Sequence, residues 1–245
     1  MNTRFNLKPM DYIGVPDLKQ SFNRSLFAEV APKYDFITKA LSFGQDARWK
    51  QGLLDALPAA DAPVCIDLAC GTGDLTRMLA AHYPAGRVTG LDLTPEMLAI
   101  ADDRTPAHNV TYTEGSMAAL PFDNASIDLV TGGYALRNAP DLDQTLDEIT
   151  RILRPGGLAA FLDFSKPRNR TGQNIGYGLL KCWGGFWGLT LHGNPDVYGY
   201  IADSLMLYPD RFELRRRFEH RGFEFRSSRR YFGGLLEAVV FQKAR

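Results

Sequence analysis

Apolar residues recur at helical spacing in the N-terminal part of the chain and then give way to short continuous runs. Residues 18 to 57 predict helices, because apolar side chains share a face in each of three segments: Phe22, Leu26 and Val30; Tyr34, Ile37 and Leu41; Leu53, Leu54 and Leu57. Between residues 63 and 164, short apolar runs alternate with helical segments. The runs predict strands at 64–68, 87–93, 110–112, 127–131 and 158–164.

This alternation predicts an α/β fold of the Rossmann-like class, with a mostly parallel sheet covered by helices on both faces. A helix through Leu142, Leu146, Ile149 and Leu153 is expected to stop at Pro155-Gly156-Gly157. Residues 209–243 predict a helix and then two strands, which would form a C-terminal antiparallel hairpin. We therefore assign residues 1–60 to an N-terminal helical cap and residues 61–245 to the main domain, in which the Gly- and aromatic-rich segment 165–208 is a lid insertion.

Composition limits the classes of function. The 245 residues carry 28 basic and 28 acidic side chains, so no net charge draws the protein to nucleic acid. The three cysteines lack the spacing of a zinc site or a disulfide framework, and no metal site is expected. The N-terminus lacks the apolar core of a signal peptide, and no apolar run is long enough to span a bilayer. We expect a cytoplasmic protein, in contact with a membrane surface at most peripherally, and leave its oligomeric state open, a homodimer included.

A glycine turn carries the clearest functional signal. Asp67 to Thr76 (DLACGTGDLT) ends the first predicted strand and opens a helix. Gly71 and Gly73 allow a ligand to approach the bare backbone, and the exposed N–H groups at the helix N-terminus favour negative charge. Asp92 ends the second strand, 19 residues after Gly73. An acid at that interval accepts hydrogen bonds from a ribose diol.

The ligand is not expected to be a dinucleotide. Thr76 stands where the dinucleotide fingerprint needs its third glycine, and Asp74 would repel a pyrophosphate. The carboxylate of Asp67 could instead pair with an ammonium group while the helix N-terminus receives a carboxylate. An amino-acid end together with a ribose describes S-adenosylmethionine; the alternative is that Gly-x-Gly is only a tight turn.

Several motifs then resemble the ubiquinone/menaquinone biosynthesis C-methyltransferases, which are class I S-adenosylmethionine-dependent methyltransferases. They are FAEVAPKYD (27–35), LSFG (41–44), Trp49-Lys50, the glycine turn, ALPF (119–122), Leu136-Arg137-Asn138, LRPGG (153–157) and FSKP (164–167). The resemblance implies cofactor contacts for residues of the main domain: Thr72, Asp92 with Leu93, Ser116, Met117 and Gly133. It places Arg137 and Asn138 against the acceptor. Asp46-Ala47 replace the family's usual His-Arg, and no histidine follows Gly234.

Carbon methylation of a phenol needs an electron-rich ring, so its proton of pKa near 10 must be removed. Arg137 could stabilise the phenolate and Asn138 could donate a hydrogen bond, although a structural salt bridge is the alternative role for Arg137. Among the four histidines His192, in the lid, is the candidate base. Further candidates are Tyr34, Tyr198, Tyr208 and Asp163.

The acceptor is expected to be a small, largely apolar aromatic molecule. Residues 175–191, rich in aromatics, would line its pocket, pack on the sheet or touch a membrane. Methyl transfer to N, O or S of another metabolite, and a cofactor-binding protein without methyl transfer, remain open at this point.

Overall fold

The computed structural model describes residue 12 and residues 14–105 and 107–245, and places a seven-stranded sheet at the centre of the molecule. Its strand order is β3-β2-β1-β4-β5-β7-β6. Five strands are parallel: β1 (Val64–Leu68), β2 (Arg87–Asp92), β3 (Val110–Glu114), β4 (Ile127–Gly133) and β5 (Leu153–Phe164). The hairpin of β6 (Phe223–Tyr231) and β7 (Leu236–Lys243) completes the sheet in antiparallel orientation. The predicted Rossmann-like class with a C-terminal hairpin is therefore confirmed.

Helices cover both faces of the sheet and its carboxyl edge. In chain order they are α1 (Pro16–Val30), α2 (Tyr34–Leu41), α3 (Asp46–Leu54), α4 (Asp74–His82), α5 (Pro95–Asp103), α6 (Leu142–Ile152), α7 (Arg170–His192), α8 (Asp196–Leu207) and α9 (Arg211–Glu219). Among the described residues, no helix combines the length and the hydropathy needed to cross a bilayer.

Side chains alternate between the two faces of the parallel strands, as a period of two requires. In β1, Ile66 and Leu68 join one buried cluster with α6, whereas Cys65 joins the other cluster with α3 and α4. A third cluster lies at the carboxyl edge, where residues of α1 and α2 such as Phe22 and Ile37 pack on α5 and α8. The helices of the predicted N-terminal cap (residues 1–60) therefore lie over the ends of the strands. Residues 1–11 and 13 of that range lie outside the described part of the chain.

Two details differ from the sequence prediction. Leu153 does not end α6: its backbone is already extended (φ −70°, ψ 137°), and it begins β5. The segment 165–208, which lacked a clear period, folds as α7 and α8. Its glycines form the contact between these helices, since a Cβ on Gly184 would lie 2.6 Å from the carbonyl oxygen of Tyr198, and one on Gly188 2.5 Å from that of Asn194. Because glycine has no side chain, a helix contact formed by glycines leaves no hydrophobic periodicity in the sequence.

Candidate active site

The glycine turn and the end of β2 are joined by one carboxylate. Asp92 Oδ2 accepts a hydrogen bond from the N–H of Gly71 at 2.8 Å, and Oδ1 accepts one from the N–H of Thr94 at 2.9 Å. Burial raises the pKa of the Asp92 carboxyl, while these N–H groups oppose the rise. Each carboxylate oxygen keeps a second lone pair, so the group can still accept bonds from a ligand diol.

A cleft opens where β1 meets β4, the point at which the strand order reverses. In open α/β sheets this is where ligands bind. Of the residues predicted to contact the cofactor, those that line this cofactor cleft are Gly71, Asp92, Leu93, Ser116, Met117 and Gly133. Gly71 has φ +55°, and a Cβ there would point toward the ring of Tyr34, 3.6 Å away. The turn thus leaves bare backbone against the cleft, as a nucleoside cofactor requires.

The other three predicted cofactor residues lie behind the cleft. Asp67 is buried, and its oxygens accept bonds from the hydroxyls of Thr76 (2.7 Å) and Thr131 (2.9 Å). The Thr72 hydroxyl donates to Asp35 Oδ1 at 2.7 Å. Gly73 (φ +80°) leaves room for the hydroxyl of Tyr112, which a Cβ would approach to 2.3 Å. These residues shape the turn without lining the cleft.

The cofactor cleft is narrow, with a volume of about 60 Å³. Small-molecule pockets usually have about 300–1,000 Å³. Phe27 of α1 and Tyr34 of α2 lie on its cap side. The helices α1 and α2 thus form one wall of the cofactor cleft.

A second, larger cavity adjoins the first. This cavity, named the acceptor cavity after the ligand that the sequence predicts, measures about 400 Å³ and is lined by residues of α1, α2, α7, α8 and the β6–β7 hairpin. Its wall is mostly aliphatic and aromatic, with residues such as Leu26, Trp49, Phe164 and Trp183. The predicted lid therefore contributes to an apolar pocket.

Four residues line both cavities: Phe27, Tyr34, Tyr134 and Asn138. Tyr134 has φ +60°, a backbone conformation that is uncommon for non-glycine residues. Its hydroxyl donates to Asp46 Oδ1 at 2.7 Å, and Lys50 pairs with Asp46 at 2.6 Å. The sequence pattern did not single out Tyr134. Lys50 appeared only as part of the Trp49-Lys50 motif, and Asp46 as a departure from the family motif.

Arg137 is the cation of the acceptor cavity. Its side chain is 4% exposed and lies 3.8 Å from Asp163, and a guanidinium N–H donates to the hydroxyl of Ser204. The guanidinium also lies over the rings of Phe164 and Tyr200. Its Nε is buried and has no hydrogen-bond partner among the described residues. This Nε is the atom that lies 3.8 Å from Asp163 Oδ1, so the buried carboxylate partly offsets the charge of the guanidinium.

Asn138 is held by its neighbours at the junction. Its Oδ1 accepts from the Tyr200 hydroxyl at 2.6 Å, and its Nδ2 donates to the carbonyl oxygen of Tyr134 at 2.9 Å. An amide nitrogen has two N–H groups, so one remains for a ligand.

His192 does not line either cavity, but it is linked to the wall of the acceptor cavity. Its Nε2 lies 3.0 Å from the hydroxyl of Tyr198, which does line that cavity, and its Nδ1 lies 3.2 Å from Glu29. Tyr34 also lines the acceptor cavity, whereas Tyr208 and Asp163 line a separate small cavity near β5 and β7. The histidine predicted as a base could thus reach an acceptor only through Tyr198.

Known proteins are similar over most of the chain. Residues 16–240 match the ubiE/COQ5 methyltransferase family. The chain is 36% identical to 2-phytyl-1,4-naphtoquinone methyltransferase from Thermosynechococcus vestitus, covering 90% of this chain and 98% of the relative. It is 35% identical to demethylmenaquinone methyltransferase from Thermus thermophilus, covering 85% and 96%. A solved S-adenosylmethionine-dependent methyltransferase from Mesorhizobium loti shares the fold, with a TM-score of 0.60, 18% identity and coverage of 80% and 98%.

Proposed function

Because the chain belongs to the ubiE/COQ5 methyltransferase family and is an S-adenosylmethionine-dependent methyltransferase, we propose that it methylates a ring carbon of a hydroxylated aromatic acceptor with an apolar tail. The names of two relatives indicate naphthoquinone-type acceptors. One observation of this chain carries the proposal: a nucleoside-type cleft and a larger apolar cavity share the wall made by Phe27, Tyr34, Tyr134 and Asn138. A methyl donor and an apolar ring could therefore meet across that junction.

The cleft residues fit the cofactor. We assign Asp92 to the ribose diol, Ser116 and Met117 to the adenine, and Gly71 and Gly133 to the methionyl end, all of which line the cleft. Asp67, Thr72 and Gly73 would act indirectly, by holding the turn in place. The bound cofactor supplies an activated methyl group on a sulfonium sulfur, and no metal or covalent enzyme nucleophile is needed for its in-line transfer.

Arg137 would stabilise the acceptor as a phenolate. The guanidinium is always charged and nearly excluded from water, and Arg137 lines the acceptor cavity, so it favours a developing oxyanion there. Asn138, which lies at the junction, would donate its remaining N–H to an oxygen of the same ring. Both residues would thereby favour the electron-rich form of the ring that attacks the methyl group.

His192 would receive the phenolic proton through Tyr198. With Nδ1–H directed at Glu29, Nε2 is the acceptor for the Tyr198 hydroxyl. The acceptor hydroxyl would pass its proton to the oxygen of Tyr198 while Tyr198 passes its own proton to His192 Nε2. Tyr198 remains neutral throughout, which suits a phenol whose pKa is raised by burial.

The decisive assay incubates the purified protein with S-adenosylmethionine and a matched acceptor set: a prenylated naphthohydroquinone, the same ring without its tail, a catechol and a primary amine. NMR of the product distinguishes a new C–CH3 group from an O- or N-methyl group. We expect carbon methylation, with a lower KM for the tailed ring. Methylation at oxygen or nitrogen, or no preference for the tail, would contradict the proposal.

A further inference from the structure

One face of α7 is apolar and exposed. Ile175, Leu179, Phe186 and Leu189 are 59%, 62%, 53% and 61% exposed, and their spacing places them along one side of the helix. This apolar stripe spans 14 residues, about 21 Å at the helical rise of 1.5 Å per residue. A stripe of this length on a protein surface marks an interaction site.

The stripe is continuous with the mouth of the acceptor cavity. Leu179 belongs to both, and Phe43 and Phe232, which line the cavity, are 63% and 50% exposed. Phe43 stacks on Trp183 with ring centroids 5.2 Å apart. An apolar molecule that enters the cavity by this mouth thus passes over the stripe.

A cavity of about 380 Å³ lies at the N-terminal end of the stripe and is lined by Arg168, Arg211 and Arg230. It also contains the start of α7, whose first turn has no acidic residue. Most arginines among the described residues have a carboxylate within ion-pair distance. Arg168, Arg211 and Arg230 have no such carboxylate within the described part of the chain. The arginine cavity is therefore suited to an anion with several oxygens.

The arginine cavity and the acceptor cavity share Leu179, Phe232 and Leu235. A ligand that places an anionic group on the arginines and apolar chains beside them would lie along the stripe. Amphipathic helices bind anionic membranes with this combination of apolar face and basic residues. A second copy of the chain packed on the stripe would cover the mouth through which the acceptor must pass.

We propose that the apolar stripe docks on the surface of an anionic phospholipid bilayer, with a lipid phosphate in the arginine cavity, so that an apolar acceptor passes from the bilayer into the acceptor cavity. The passage of the acceptor into the cavity rests on the proposed function, whereas the docking on the bilayer does not. In this orientation the arginines would lie at the level of the headgroups and the stripe at the level of the acyl chains.

The test is flotation of the purified protein with vesicles of phosphatidylcholine alone or mixed with phosphatidylglycerol. We expect binding to the mixed vesicles that weakens as salt is added. Each arginine removed should lower the partition coefficient roughly fivefold, so Arg168→Gln/Arg230→Gln should lose about 30-fold. Phe186→Ser/Leu189→Ser should lose tenfold or more, since it removes apolar contact without touching the lining of the acceptor cavity.

Two matched controls should bind as the unmodified protein does: Arg87→Gln at the exposed start of β2, and Leu18→Ser, whose side chain is 44% exposed on α1. Unchanged flotation of the stripe and arginine variants would overturn the proposal. So would binding of inorganic phosphate to the arginines without vesicle binding, or a dimer in sedimentation that only the stripe variant dissociates. Methyl transfer to a tail-free acceptor, measured in parallel, fails only if the proposed function fails.

Discussion

Asp92→Asn is the sharpest test of the cofactor cleft, because a single carboxylate both ties the glycine turn to β2 and faces the ligand. Its two oxygens already accept from the N–H groups of Gly71 and Thr94. An amide has one oxygen, so its NH2 group must face one of these N–H donors or be directed at the ribose. In either case one acceptor for a hydrogen bond is lost.

The expected change in the Kd of the cofactor follows from the loss of one hydrogen-bond acceptor. A hydrogen bond to a charged acceptor contributes about 1.5–3 kcal/mol, which corresponds to about a 10- to 150-fold increase in Kd. The same substitution should lower the free energy of unfolding of the cofactor-free protein by about 1–3 kcal/mol, because one buried N–H loses its partner. Calorimetric titration with S-adenosylhomocysteine and urea denaturation measure the two effects separately.

Asp128→Asn is a matched control. Asp128 also accepts a backbone N–H, that of Val64 at 2.8 Å, but lies on β4 away from the cleft. It should lower stability and leave the Kd unchanged. If Asp92→Asn binds S-adenosylhomocysteine as tightly as the unmodified protein, or if both variants weaken binding equally, the assignment of Asp92 to the ribose is refuted.

Further substitutions probe the acceptor side, the turn and the helix contact. Arg137→Met should reduce turnover by about 100-fold or more while the cofactor Kd stays constant; equal losses would make Arg137 structural. His192→Gln should reduce turnover by a similar factor, and full activity would locate the base elsewhere. Burial raises the pKa of Asp67 from 3.8 to about 6, so the free energy of unfolding should fall by about 2 kcal/mol between pH 4 and pH 6. Denaturation curves measure this fall, and Asp67→Asn should remove it. Gly188→Ala should lower the Tm, since its Cβ would lie 2.5 Å from a backbone carbonyl; Gly178→Ala, with nothing within 4 Å, should raise it.

The sequence pattern predicts those parts of the fold whose causes are local. Strand and helix alternation, the glycine turn and an acid at the end of β2 depend on residues close together in the chain, and the structure has them where the pattern indicates. The direction of a side chain depends instead on partners that are distant in the sequence. Asp67 faces the hydroxyl of Thr131 on β4, 64 residues later, and so turns away from the cleft.

The contacts of His192 and Arg137 could not be predicted for the same reason. Glu29, which meets His192, is 163 residues away, and Ser204, which meets Arg137, is 67 residues away. The helix α7 escaped prediction because its fully buried positions are glycines, while four of its large apolar residues point outward: Ile175, Leu179, Phe186 and Leu189. A prediction that treats every apolar residue as buried assigns the exposed face of such a helix to the core.

The shared wall makes the two ligands interdependent. Phe27 and Tyr34 line the cofactor cleft, and the same side chains form part of the acceptor cavity. Any shift that the first ligand imposes on them changes the affinity for the second, and by thermodynamic reciprocity the reverse effect has the same size. Through the helices over the strand ends, occupancy of the methyl-donor site would thus alter occupancy of the acceptor site, and the reverse.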